Sequence, residues 1–416
     1  RPLARATLAV ERLGDGARWI GAAGAAQPDG TPMQPDTPWY IASVDKLLLA
    51  VVVLQLVAQR RLALDAPVSA LLPPPLWRGL HVLDGVDRSA AVTVRQLLGH
   101  GAGLADGLED RPHGGLPPLV EQVIEGGDRT LAREAIVAHV REHLRPHFVP
   151  QDMASPRRRI RYSDTHYLLL GAIVEAVGGQ PLHEVLGAHL LHPVQMTQTW
   201  FAGRMPAPAG VPAPAVLRAG GRPLAVPELL RSLHGLYSTA DDQLRLLRAL
   251  VHDGPPGFAA AWRAMGTGWR RLPLPRDRAA LRLPGWPIDY ALGLMRFAPP
   301  RCLPPWRRVP ALVGHSGSTG CWLFHVPELG LMLAGDVGEA SAGALPFRAL
   351  PPLLHRLAVP PKTRGSAQPW WGEGSPRSAA PPSSISAAAP PSGNSSTASS
   401  TQPTTERPSR AAARPR

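Results

Sequence analysis

The chain has 416 residues, 44% hydrophobic and 18% charged, with a formal net charge of +13 at pH 7. That length leaves room for two domains' worth of core, and no apolar run is long and pure enough to span a membrane. Beyond Pro360 seven basic residues face two acidic ones. No basic face with interleaved aromatics accompanies the charge, so nucleic acid is not an expected partner.

The chain opens with Arg1 rather than Met. The expected compartment is therefore periplasmic or extracellular if a leader has been removed, and cytoplasmic otherwise. Residues 5–24 read as two strands joined at Gly14-Asp15-Gly16, a hairpin turn signal. Trp39 to Arg61 then reads as a loop delivering Ser43 to the start of a helix. From Leu47 to Ala58 that helix is apolar on all sides, as expected of one buried all round. Pro73-Pro74-Pro75 breaks the chain, and Thr93 is positioned to cap a helix running to Leu98. A helical pattern covers 116–144 and stops at Pro146. After an arginine-rich loop to Ile160, helices are expected from Tyr162 to Val177 and from Leu182 to Leu191.

Residues 203–228 are rich in Pro, Ala and Gly and read as a long surface loop. Ser238-Thr239-Ala240-Asp241 has the pattern of a capping box opening a helix to Val251. Strands return at Tyr290–Phe297, Gly320–Val326 and Gly330–Asp336, and a last helix covers Ala344–Leu357. From Pro360 onward Pro, Ser, Ala and Thr dominate, too few large apolar residues to order a chain, so disorder is expected. Cys302 and Cys321 are either a pair, in an oxidising compartment, or two free thiols.

The chemistry starts at Ser43 and Lys46. Residues i and i+3 share a helical face, so hydroxyl and ammonium can meet. The chain has only two lysines, Lys46 and Lys362, against 42 arginines. A lysine at the buried mouth of an apolar helix, in a chain that otherwise uses arginine, points to a group whose proton matters: lysine loses its proton on desolvation and arginine does not. The alternative is a chance S-x-x-K whose amine snorkels to solvent. Tyr162-Ser163-Asp164 at the mouth of another helix, and His315-Ser316-Gly317 just ahead of a strand, complete the constellation.

Taken in order, these stretches resemble the serine β-lactamase and penicillin-binding-protein superfamily. The resemblance is to its branch of class C β-lactamases, D-Ala-D-Ala carboxypeptidases and esterases, and it covers residues 5–356. Ser43-Val44-Asp45-Lys46 matches the nucleophile motif, and Thr93 to His100 resembles the lead into the second loop. Tyr162-Ser163-Asp164 falls on the Tyr-x-Asn motif, Pro193 to Met196 on the helix stop ahead of the variable loop, and His315-Ser316-Gly317 on the Lys/His-x-Gly strand motif. The resemblance implies Ser43 as nucleophile, Lys46 and Tyr162 as its proton partners, and an oxyanion hole at the N–H groups of Ser43 and Ser318. It also implies Asp164, His315 and Gly317 as substrate-binding positions, His315 facing a substrate carboxylate or stabilising Tyr162. Position 164 departs from the pattern: Asp164 can only accept where Asn would also donate, which favours esters over β-lactams and peptide amides.

The expected fold is α/β (α+β), an antiparallel sheet built from both chain ends and flanked by helices, with an all-helical insert. The expected domains are 1–75 plus 235–358 for the sheet, 76–234 for the insert, and 359–416 for the disordered tail. The expected function is a serine hydrolase forming an acyl-enzyme on a small ester, β-lactam or D-amino-acid amide, with no cofactor and no metal and in an unassigned oligomeric state. Two rival readings remain. One is a non-catalytic scaffold binding a partner or peptidoglycan fragment. The other is a zinc hydrolase using His139, Glu142 and His143, an H-x-x-E-H pattern in a chain with 15 histidines.

Overall fold

The glycine-rich turn does close the first hairpin: β1 (Arg5–Arg12) and β2 (Arg18–Gly24) pair antiparallel, with Glu11 opposite Arg18. The computed structural model of the chain describes residues 3–273, 288–298, 309–340 and 342–358. The expected disorder beyond 358 and the state of Cys302 lie outside the described residues, whereas Cys321 is a buried free thiol. What is described belongs to one compact unit, Arg1–Pro360.

After the hairpin come β3 (Trp39–Tyr40) and the apolar helix α1 (Asp45–Ala58). The pair β4 (Val82–Leu83) and β5 (Val86–Asp87) leads to α2 (Val94–Leu98). Thr93 caps α2 in a full capping box, its hydroxyl accepting from the Gln96 amide while the Gln96 side chain accepts from the Thr93 amide. The pattern over 116–144 folds as two helices, α3 (Leu119–Gly126) and α4 (Arg133–His143). Gly127, at φ +104°, takes a conformation that ends the first. Then follow α5 (Asp164–Gly178), α6 (Leu182–Leu186) and β6 (Trp200–Phe201). The expected loop over 203–228 contains β7 (Arg218–Ala219) and β8 (Arg222–Pro223), and α7 (Pro227–Ser232) begins at its end. Next come β9 (Leu236–Ser238), α8 (Ala240–Arg248) and α9 (Phe258–Met265). Thr239 caps α8 by accepting from the Asp242 amide.

The last strands are β10 (Arg270–Arg271), β11 (Ile288–Tyr290), β12 (Met295–Phe297), β13 (Leu312–Ser316), β14 (Trp322–Val326) and β15 (Leu331–Asp336), before α10 (Pro346–Ala358). The single strand expected over Tyr290–Phe297 is a tight hairpin, because Gly293 at φ +88° turns the chain between β11 and β12. His315 and Ser316 end β13, a strand not expected from the sequence, and stand just ahead of β14 as expected.

Eight strands form one antiparallel sheet in the order β10-β11-β12-β13-β14-β15-β1-β2. The N-terminal hairpin thus joins the C-terminal strands through β1 and β15, with Thr7 opposite Asp336. Both faces of the sheet are covered. Along β1, β14 and β15 successive apolar residues divide between two cores: Ala9, Leu323, Met332 and Ala334 join the one built on α1, α8 and α9. Val10, Phe324, Leu331 and Leu333 join the one holding Phe347, Leu350 and Leu354 of α10. A smaller sheet, β3-β9-β6, holds the entry to α1. No helix among the described residues is long and apolar enough to cross a membrane.

Arg5 and Asp336 lock the seam between the chain ends. The guanidinium lies 2.9 Å from the carboxylate, with both side chains at most 2% exposed. Asp336→Ala would leave Arg5 buried and uncompensated, so a loss of about 3–5 kcal/mol is expected in urea unfolding. A loss below about 1 kcal/mol would show that the seam does not depend on this pair.

Candidate active site

Three short elements converge on Ser43. β3 pairs with β9, and the Ile41 amide donates to the Leu236 carbonyl at 3.1 Å, which fixes the chain just ahead of the serine. Ala42 then takes φ +44°, a left-handed conformation that an alanine adopts only at a cost of about 1–3 kcal/mol. The resulting sharp turn feeds Ser43 through one 3-10 turn, Ala42–Val44, into α1. Lys46, one turn on and 6% exposed, brings Nζ to 3.1 Å from Ser43 Oγ.

Asp164 opens α5 and places Oδ1 2.5 Å from Lys46 Nζ, and Asp45 Oδ1 is 4.0 Å away. Burial alone would lower the lysine pKa. The negative charges of Asp164 and Asp45, with the hydrogen bond to Asp164, outweigh it and hold the pKa well above the ordinary lysine value. The resting group is an ammonium, and it donates to both Ser43 and Asp164.

Tyr162 sits immediately before α5 with Lys46 Nζ 5.4 Å from its ring centroid. Its buried hydroxyl has no hydrogen-bond partner of ordinary geometry among the described residues. Ser43 and Lys46 are nevertheless near enough to favour its ionised form, against a burial effect that raises the phenol pKa far above its usual value. Tyr162 is therefore protonated at rest, held by packing rather than by a formed hydrogen bond.

The end of β13 completes the site. A side chain at Gly317 would put its Cβ 2.8 Å from Ala42 Cβ and 3.2 Å from the Ser43 amide, so only glycine lets the strand approach the serine this closely. Ser318 lines the same cavity as Ser43, Lys46 and Asp164. His315 is fully buried, and its Nδ1–H donates to the Ser316 carbonyl at 2.8 Å. Its Nε2 is 3.4 Å from the Tyr290 hydroxyl. Burial, then the charge of Lys46, pushes its pKa down to about 3. The ring is neutral and its centroid lies 6.3 Å from that of Tyr162, one of the two groups it was expected to serve.

Several groups around the site were not singled out in sequence. His234 Nδ1 pairs with Asp45 Oδ2 at 2.9 Å. Asp106, 4% exposed, accepts from the amides of Asp164 and Leu108, each at 2.9 Å, and so fixes the start of α5. His100, at φ +55°, packs its ring 4.5 Å from that of Tyr162 and 4.6 Å from that of Tyr290. Asp45 and His100 lay inside stretches already in view, Ser43-Val44-Asp45-Lys46 and Thr93 to His100. Asp106 and His234 carried no local signal, because their partners are far along the chain. On α4, the His139 and His143 rings are 5.1 Å apart, but the Glu142 side chain is 63% exposed. No group of three His, Cys, Asp or Glu suited to a metal ion occurs among the described residues. Glu142 and His143 thus face solvent, while His139 is half-buried with its Nε2 covered.

Ser43, Lys46, Asp45 and Asp164 line a cavity of about 290 Å³. A serine within reach of a buried lysine, at the mouth of a helix packed on an antiparallel sheet, defines a serine hydrolase of the acyl-enzyme-forming fold. Residues 4–335 match the family described as Beta-lactamase, and the chain belongs to that family. Esterase EstB of Burkholderia gladioli is 30% identical over 304 residues, spanning 64% of this chain and 69% of that protein. Among solved structures, EstCE1, a hydrolase with promiscuous acyltransferase activity, matches with a TM-score of 0.63 at 22% identity, covering 86% of this chain and 93% of that one. A D-stereospecific amidohydrolase from Streptomyces sp. matches with a TM-score of 0.60 at 24% identity, covering 82% and 91%. At such identities these two structures speak for the fold.

Burial keeps three histidines behind the site neutral: His166 and His315, each with a pKa near 3, and His100, also well below its ordinary value. Unfolded, each would titrate near 6.5. Between about pH 6.5 and 3 the unfolded chain therefore binds more protons, so their contribution is present above pH 6.5 and is lost as pH falls. Each should take away about 1.4 kcal/mol per pH unit in that window. Urea midpoints at pH 7, 6, 5 and 4 should fall less steeply in His166→Gln than in wild type, and parallel curves would contradict the assignment.

Proposed function

We propose that Ser43 is the nucleophile and that Lys46 and Tyr162 move its proton. The supporting observation is the 3.1 Å hydrogen bond from Lys46 Nζ to Ser43 Oγ at a buried helix mouth opening on a cavity. In this reading Ser43 Oγ attacks the carbonyl carbon of an ester. Tyr162 reacts in its ionised form, its own proton given up to solvent and the phenolate held by the neighbouring Lys46 ammonium, and that phenolate takes the Oγ proton as the new O–C bond forms. The amides of Ser43 and Ser318 take up the negative charge on the carbonyl oxygen. Tyr162 returns the proton to the departing alcohol, and water then releases the acid by the same groups in reverse. Lys46 stays charged through its contact with Asp164, so its part is electrostatic. His234 and Asp106 act as positioning residues, the first on Asp45 and the second on the start of α5.

Asp164 decides among substrates. With both of its functions spent, on accepting from Lys46 and on adding negative charge, it has no donor for a β-lactam or peptide carbonyl. The preferred substrate is thus an ester, with D-amino-acid amides and β-lactams behind it. The relative named as an esterase supports hydrolysis over a non-catalytic scaffold. The same reading takes residues 1–75 with 235–358 as a sheet domain and 76–234 as its insert.

Exposure to a fluorophosphonate should add one label, on the peptide holding Ser43, and Ser43→Ala should abolish it. Turnover of p-nitrophenyl esters should fall by about 10⁴-fold or more in the same variant. Retained labelling and turnover would remove Ser43 from the reaction. Asp164→Asn should raise kcat/KM for a cephalosporin relative to that for a p-nitrophenyl ester. An unchanged ratio would show that Asp164 does not set the preference.

A further inference from the structure

The Tyr162 hydroxyl has no hydrogen bond of its own among the described residues, so other contacts set where the phenol stands. His100 holds it at three points. The His100 carbonyl accepts from the Arg161 amide at 2.9 Å, and His100 Nδ1 accepts from the Ser163 amide at 3.3 Å. These two bonds flank Tyr162 in the chain. The third contact is between the rings, whose centroids are 4.5 Å apart with planes at 39°. His100 itself keeps φ +55°, a conformation that a residue other than glycine holds only where its surroundings fix it.

The orientation of the His100 ring depends on a second histidine. His166, near the start of α5, brings Nδ1 to 2.8 Å from His100 Nδ1, and both side chains are fully buried. A backbone amide can only donate, so the bond from Ser163 makes His100 Nδ1 an acceptor. Burial keeps the ring neutral, and its one proton is therefore on Nε2. The close approach of the two Nδ1 atoms then requires His166 to be the donor. Each ring is thus confined to one tautomer. His100 Nε2 has no hydrogen-bond partner among the described residues, so the ring is aligned from its Nδ1 edge and by packing.

We propose that His100 is the positioning residue for Tyr162 and that His166, by donating to it, sets the orientation in which it acts. Both work through Tyr162, so the proposal rests on the reading of Tyr162 as the group that moves the Ser43 proton. That role makes opposite demands on the phenol. Its ring must be placed accurately, yet its oxygen must stay free to take and return a proton. A hydrogen bond to the hydroxyl would meet the first demand and obstruct the second. Holding the flanking main chain and the ring face meets both.

The test uses turnover of a p-nitrophenyl ester. His166→Leu removes the donor with an apolar side chain of similar size. His166→Asn restores it, because a carboxamide nitrogen can stand where Nδ1 stood. His166→Leu should lower kcat by roughly tenfold or more with KM within about twofold, and His166→Asn should stay within about threefold of wild type. In a Tyr162→Phe background His166→Leu should change kcat by less than about twofold, since the group it positions is gone. An unchanged kcat in His166→Leu would overturn the proposal. So would equal losses in His166→Leu and His166→Asn, or an equal fall in both backgrounds, the mark of a purely structural role. Ring-nitrogen NMR shifts of the wild type test the tautomers even if His166→Leu does not fold. They should show His100 protonated at Nε2 and His166 at Nδ1, and the reverse would overturn the proposal. Tyr162→Phe separates the two failures. If it keeps the wild-type kcat, the role of Tyr162 falls and this proposal with it; if it is slow while His166→Leu is not, the positioning alone is defeated.

Discussion

The ammonium of Lys46 is the charge on which the centre of this molecule depends. It is taken out of water on a helix that is otherwise hydrocarbon, and such a charge persists only with partners at close range. Asp164, 2.5 Å away, supplies the counter-charge, and Ser43, 3.1 Å away, receives the remaining hydrogen bond. Because the two partners arrive on different elements, one pair fixes α1 against α5. The catalytic geometry and the packing of the core are therefore one problem. A loss of Asp164 would leave a buried charge unmatched, as well as changing the substrate carbonyl's surroundings.

Around this charge and its two carboxylates the protein keeps four further titratable groups neutral. His315, His100, His166 and Tyr162 are buried, and the burial disfavours the charged form of each. The result is a site with few free charges, where the Lys46 field acts with little screening. It also separates this site from one built to hold a carboxylate. The position that would carry a cation on β13 is a neutral imidazole facing Tyr290.

Much of the fold was legible because its signals are local. The Gly14-Asp15-Gly16 turn, the Thr93 capping box and the apolar length of α1 each announce themselves within a few residues. The errors were also local in cause. Gly127 divides a continuous helical pattern, and Gly293 folds one expected strand into a hairpin, because a single positive φ outweighs the periodicity around it. The placement of His315 at the end of β13 followed from pairing with β14, which periodicity alone does not reveal.

Sequence by itself determined the members of the site that share a short stretch: Ser43 with Lys46, Tyr162 with Asp164, and His315 with Gly317. It determined too that the first and last strands belong to one sheet, since neither end had enough strands to bury a face alone. Tertiary structure decided everything that depends on which stretch meets which. It paired Lys46 with Asp164, turned His315 inward, and brought Ser318 to the cavity that Ser43 and Lys46 line. The physical reason is range. Turn, cap and helix-face preferences act over a few residues, whereas the charge state of a buried group is set by atoms brought within a few ångströms from more than a hundred residues away.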